Sequence, residues 1–173
     1  MERLLGPDGF TIDFFKACCD TVQHEVWEVV EDSCKSKAIL RSLNATFIVP
    51  IPKEEVANTP SKSRPIALCN VLYKIILKVM ANRLKPILPY IIFEEQSGYV
   101  EGRKILDNVL LAQEMIHTLQ AQKIADMIIQ LDLSKAYDKV SWNFIEDILT
   151  AFGFDHCWIQ WILALFKIGR AHV

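Results

Sequence analysis

Met127, Ile128, Ile129 and Leu131, with Gln130 among them, form a short apolar run that leads straight into Asp132. Such a run, partly β-branched, is the pattern of a mostly buried strand. A carboxylate at the end of a buried strand is costly unless it is paired, hydrogen-bonded or bound to a metal. One aspartate there can hold a divalent cation by its oxygens, but it cannot complete a site. Mg²⁺ typically takes one or two carboxylates together with substrate phosphates and water. Without its neighbours, an aspartate in this place is more often a turn former or a helix cap. Ser141, ahead of Trp142, Phe144, Ile145 and Ile148, reads as the N-cap of an amphipathic helix.

The 173 residues are enough for one domain with a buried core, and 51% of them are apolar against 23% charged, which argues against disorder. A net charge of −2 gives no general nucleic-acid signal, but the charge is unevenly spread. Residues 1–45 carry 5 basic and 8 acidic side chains, residues 46–105 carry 9 and 5, and residues 106–173 carry 5 and 8. A basic middle beside an acidic end suits a phosphate-binding surface next to a carboxylate metal site, and lysines solvating helix faces explain it about as well. The five cysteines show no metal-binding spacing. With no signal peptide or transmembrane run, they read as free thiols of an intracellular protein, nuclear or cytoplasmic.

Along the chain, residues 6–10 (GPDGF) form a turn, after which Thr11 caps a helix bearing Ile12, Phe14 and Phe15, followed by a second helix through Val30. Residues 45–52 and 63–69 read as two strands of a hairpin over a polar loop. Asn70 then caps a helix with Ile76, Met80 and Leu84 on one face, ended or kinked by Pro86 and Pro89. Residues 94–103 are loop-like, and a long helix from about 105 to 122 is expected to turn Leu106, Val109, Leu110, Met115, Ile116 and Leu119 inward. The strand to Asp132 comes next. A helix over 142–152, stopped by Gly153, and a last apolar helix around 158–166 complete the chain.

Read together, GPDGF (6–10), IPK (51–53), RPIALCNVLYKIILKVMANRLK (64–85), the stretch from Leu88 to Glu114 containing EQSGYV, and LDLSKAYDKVSW (131–142) resemble the reverse transcriptase of non-LTR, LINE-type retrotransposons, particularly the kind abundant in plants. The resemblance covers roughly residues 6–166. It implies an α+β fold, a partial fingers–palm of a right-hand polymerase with an incomplete palm sheet. Residues 1–44 would be an N-terminal helical extension, 45–166 a partial reverse transcriptase domain, and 167–173 a non-matching tail. It also implies an RNA template, a DNA primer and deoxynucleoside triphosphates as partners, Mg²⁺ as cofactor and no membrane, and leaves the oligomeric state open.

Residue by residue, the resemblance makes Asp132 the first catalytic aspartate and metal ligand, with the backbone carbonyl of Leu133 as a further oxygen. Tyr137 matches the position that stacks under the incoming sugar and excludes a 2′-hydroxyl. Asp138 takes a structural or hydrogen-bonding role. Arg64 matches the fingers arginine that holds the triphosphate, a task suited to its planar fork. Gln96, Gly98 and Arg103 lie in the stretch resembling the template-contacting segment. The pattern is then broken: no Asp-Asp pair occurs in these 173 residues, and residues 167–173 do not continue the family's sequence. The expectation is therefore a reverse transcriptase fragment inactive by itself. The alternatives are a non-catalytic nucleic-acid-binding remnant and a different Mg²⁺-dependent phosphoryl-transfer or nuclease fold, for which no further strand-end acidic residues are evident. The missing palm strands would leave the edges and one apolar face of the Asp132 strand open.

Overall fold

The computed structural model describes residues 5–55, 58–122, 127–133 and 139–167. Helix α1 (Ile12–Ala17) starts where the Thr11 side chain accepts the Phe14 N–H at 3.0 Å. Its break at Cys18 is followed at once by α2 (Cys19–Ser36), which ends at Lys37 in the left-handed conformation. Strands β1 (Thr46–Pro52) and β2 (Ser63–Cys69) pair antiparallel, Thr46 opposite Cys69 and Ile51 opposite Arg64. Pro50 stands opposite Pro65, and a two-stranded ribbon tolerates both because each strand has one free edge. Then come α3 (Val71–Leu84), the single turn α4 (Leu88–Ile91), α5 (Ile105–Gln122), α6 (Trp142–Ala151) and α7 (His156–Lys167).

Contacts divide the chain into two units, Met1–Met80 with Trp142–Val173, and Ala81–Ser141. The first unit has the core: Ile39, Tyr73, Ile76, Met80, Trp161 and Leu165, with Val29, Val30 and Cys34 of α2 packed against them. Helix α7 is apolar around its circumference and accordingly is embedded, with Ile159, Trp161, Leu163 and Leu165 all buried. Trp158 meets Trp161 edge to face at 5.5 Å. The Tyr73 hydroxyl donates to the Leu165 carbonyl at 3.2 Å, and burial, with Cys69 nearby, raises its pKa above the ordinary tyrosine value.

Two sequence expectations fail in the second unit. Residues 127–133 form no strand: their backbone has no regular pairing, and Met127, Ile129, Leu131 and Leu133 are exposed. A strand is defined by the neighbour that receives its amides and carbonyls, and among the described residues none is present. Nor is the apolar face of α5 inward. Leu106, Val109, Leu110, Met115 and Ile116 are exposed, and no residue of this helix is buried. Periodicity identifies which face is apolar; it does not supply the surface that covers it.

Candidate nucleotide and nucleic-acid site

The residues expected to bind nucleotide and template fall in different units. Arg64 is on β2 in the first, exposed. Near the same end of the ribbon, the Glu54 carboxylate pairs with Lys62 at 3.0 Å. Asp132 and Leu133 are in the second unit, both exposed, Leu133 at 81%. Tyr137 and Asp138 lie outside the described residues.

Gln96, Gly98 and Arg103 share one loop in the second unit, and here the geometry is specific. The Arg103 Nη1 donates to the carbonyls of Phe93 and, at 2.8 Å, Gln96; Nη2 donates to those of Ile92 at 3.1 Å and Pro89 at 3.3 Å. Those of Pro89 and Ile92 lie in and at the end of α4, where a helix of one turn leaves its carbonyls short of amide partners, whereas the Phe93 carbonyl also accepts the Gln96 N–H at 3.1 Å. A cation suits that place on dipole grounds as well. Asn108, from the first turn of α5, donates to the Glu95 carbonyl and to the Ser97 hydroxyl at 3.2 Å. Gln96 Nε2 bonds the Gly98 carbonyl at 3.4 Å, and Lys85 pairs with Glu101 at 3.6 Å. Arg103 therefore organises the loop through its own backbone, a use of the fork that sequence reading did not identify. Tyr99, in the left-handed conformation and 93% exposed, projects from the same loop.

As to metal, Asp132 and the Leu133 carbonyl are oxygen donors of the right chemistry for Mg²⁺. Among the described residues no group of three His, Cys, Asp or Glu side chains is gathered to hold a cation. The donors on hand thus fit part of one Mg²⁺ site and no more.

Sequence reading also missed the role of Asn70. Its backbone carbonyl accepts from Lys74 at the start of α3, as a capping residue's does, but its side chain is engaged elsewhere. Oδ1 accepts the Asp8 N–H at 3.2 Å, and Nδ2 donates to the Ser42 carbonyl at 2.8 Å. Nothing local in the sequence couples residues 8 and 70. The GPDGF turn hinted at it, since Gly6 lies so close to Asn70 that a Cβ would fall 2.8 Å from its backbone nitrogen.

With this geometry in view, comparison with known proteins identifies the class. The family model described as reverse transcriptase (RNA-dependent DNA polymerase) matches residues 51–172. The chain belongs to this family. It is 29% identical over 168 residues, 97% of its length, to the transposon TX1 uncharacterized 149 kDa protein of Xenopus laevis, of which it covers 13%. It is 30% identical over 105 residues, 61% of its length, to the retrovirus-related Pol polyprotein from type-1 retrotransposable element R2 of Popillia japonica, of which it covers 14%. To the type-2 element R2DM polyprotein of Drosophila melanogaster it is 23% identical over 95% of its length, covering 15% of that protein. The chain thus spans less than a fifth of these relatives. They are of the non-LTR kind, as the motifs implied; the leaning toward plant elements finds no support in them. No helix among the described residues is long and apolar enough to cross a membrane.

Proposed function

We propose that this chain is the nucleotide- and template-engaging part of an RNA-directed DNA polymerase from a LINE-type element, comprising fingers and the first part of the palm, and that it does not polymerise by itself. The family match over residues 51–172 carries the reading, supported by the order of the GPDGF, RPIALCN, EQSGYV and LDLSKAYDKVSW motifs. Arg64, exposed near the outer end of the ribbon, binds the triphosphate. The 92–104 loop, held from within by Arg103, presents Gln96, Gly98 and exposed backbone to the template strand. Asp132 and the Leu133 carbonyl are the protein's oxygens for Mg²⁺, and the motif assigns Tyr137 to the incoming sugar. When bound, the metals of such an enzyme activate the primer hydroxyl and stabilise the leaving pyrophosphate. That chemistry needs oxygens for two ions, and the two donors named here provide part of one.

Primer extension on poly-rA with oligo-dT, in Mg²⁺ and in Mn²⁺, tests the reading alongside binding of the same duplex at several salt concentrations. The expected result is no extension, with binding that weakens as salt rises because phosphate contacts release counterions. Extension abolished by Asp132→Ala would overturn the claim of inactivity. Absence of duplex binding at low salt would overturn the nucleic-acid role. Salt-sensitive binding unaffected by Arg64→Ala, with no binding of deoxynucleoside triphosphate, would leave a nucleic-acid-binding remnant in place of a polymerase part.

A further inference from the structure

The β1–β2 ribbon is held differently from the helices around it. Most of its residues are exposed on both faces, Phe47 and Ile48 by more than half, so packing on its faces does little to fix its direction. Its base is another matter. Strand β1 begins two residues after Asn44, and β2 ends at Cys69, directly before Asn70. Asn70 is 2% exposed, and its side-chain bond to the Ser42 carbonyl joins the segment entering the ribbon to the segment leaving it. The bond from the Asp8 amide fastens a third segment, the GPDG turn, to the same side chain. Gly6 allows that approach, since an alanine Cβ there would stand 2.8–2.9 Å from the Asn70 backbone. At the base, Thr46 closes the arrangement with bonds to the Asn44 carbonyl at 3.1 Å and the Cys69 sulfur at 3.5 Å.

We propose that Asn70 is a positioning residue: by tying residues 8 and 42 to the base of the ribbon it sets the ribbon's direction and hence where Arg64, toward the far end, meets the triphosphate. This rests on the reading of Arg64 given above. Asn70 touches no substrate itself. Its effect reaches Arg64 through a lever of six strand residues, roughly 20 Å at ~3.4 Å per residue. A ribbon loose at its base spends a smaller fraction of time in the competent direction, and apparent nucleotide affinity falls in proportion to that fraction.

The test measures backbone ¹⁵N order parameters and dTTP affinity of the full chain, for the wild type and for Asn70→Ala, Gly6→Ala and Arg64→Ala. In Asn70→Ala the amides of both strands should lose order while those of α2 keep it, and dTTP affinity should fall about tenfold if the competent fraction drops to about a tenth. Gly6→Ala reaches the same tie from the other side. It should reproduce both effects, and it serves if Asn70→Ala does not fold. Unchanged order of the ribbon in a folded variant overturns the positioning role, because a residue that only contributes stability would lower the unfolding midpoint and leave the ribbon rigid. A loosened ribbon with wild-type dTTP affinity, in a protein where Arg64→Ala removes binding, overturns the link to the nucleotide. If Arg64→Ala leaves dTTP binding intact, the reading of Arg64 falls, and the order parameters still decide what Asn70 does.

Discussion

Helices α5 and α7 are both strongly apolar, yet one is bare and the other is embedded. In α7 the side chains of Trp161, Leu163 and Leu165 are 1–2% exposed, whereas in α5 Leu106, Leu110 and Met115 are all more than half exposed. Sequence accounts for part of this, since α7 is the more apolar of the two and α5 carries Asp107, Gln113, Glu114 and His117. The rest is contact: α7 finds α2 and α3 within its own unit, and among the described residues α5 finds no equivalent cover in the second. Apolar character measures what a helix stands to gain from burial; contact decides whether it gains it. The stability of this chain should accordingly be concentrated in the first unit.

Truncation in the core gives the largest test of that contrast. Trp161→Ala is expected to cost about 3–5 kcal/mol, the range for deleting a buried aromatic ring, measured by urea unfolding followed in the far ultraviolet. A cost below about 1 kcal/mol, the ordinary effect of a point substitution, would mean that the first unit does not carry the stability. Next in size is Arg103→Ala. It removes four hydrogen bonds from a charged donor, worth about 1.5 kcal/mol because water reaches most of these carbonyls, and should show as faster amide exchange in residues 92–104 with the first unit unaffected. Arg103→Lys should fail to restore protection, because a point charge cannot span four carbonyls.

Tyr73→Phe is a smaller change, removing one hydrogen bond to Leu165 for about 0.5–1.5 kcal/mol. It carries a pH signature. Because burial raises the Tyr73 pKa in the folded chain, the folded state holds its proton where the unfolded state has lost it. Its contribution is complete below the unfolded value of about 10.0 and is lost as pH rises through the folded one. Titrating stability upward from pH 9 should show a steeper alkaline loss in wild type than in Tyr73→Phe. Smallest of all is Leu110→Ala on α5, expected to lie within about 0.5 kcal/mol, as for a surface position. A cost of several kcal/mol there would show that α5 is covered in solution and would break the comparison outright.

These contrasts also mark what the sequence made legible. The hairpin came through, with β2 as read and β1 shorter by one residue at its start, because prolines and a polar loop delimit it locally. The 3.6-residue period of α3 correctly brought Ile76 and Met80 to its buried face. The strand before Asp132 did not come through, because β character in residues 127–131 is a readiness to pair, and among the described residues no strand pairs with it. Nor did the role of Arg103, since a guanidinium that binds its own loop has the same sequence signature as one that awaits a phosphate. The order of motifs was enough to identify the family while saying little about which side chains hold one another. Asn70 shows this most plainly: its likeness to a helix cap hid a side chain that spans 62 positions to Asp8.

The bond from Tyr73 to the Leu165 carbonyl joins residues 92 positions apart, across the whole of the second unit. During synthesis, Ile76 and Met80 leave the ribosome long before Trp161 and Leu165 exist to cover them. At roughly 5–20 residues per second, those side chains wait several seconds for their partners. Closing a loop of about eighty to ninety residues then costs on the order of 4 kcal/mol of chain entropy before the contact gives anything back. The nascent chain therefore passes through a stage in which its best core residues are bare alongside the apolar helix α5. In that interval it is a natural client for a chaperone, and a stop codon placed before α7 would leave a product that stays one.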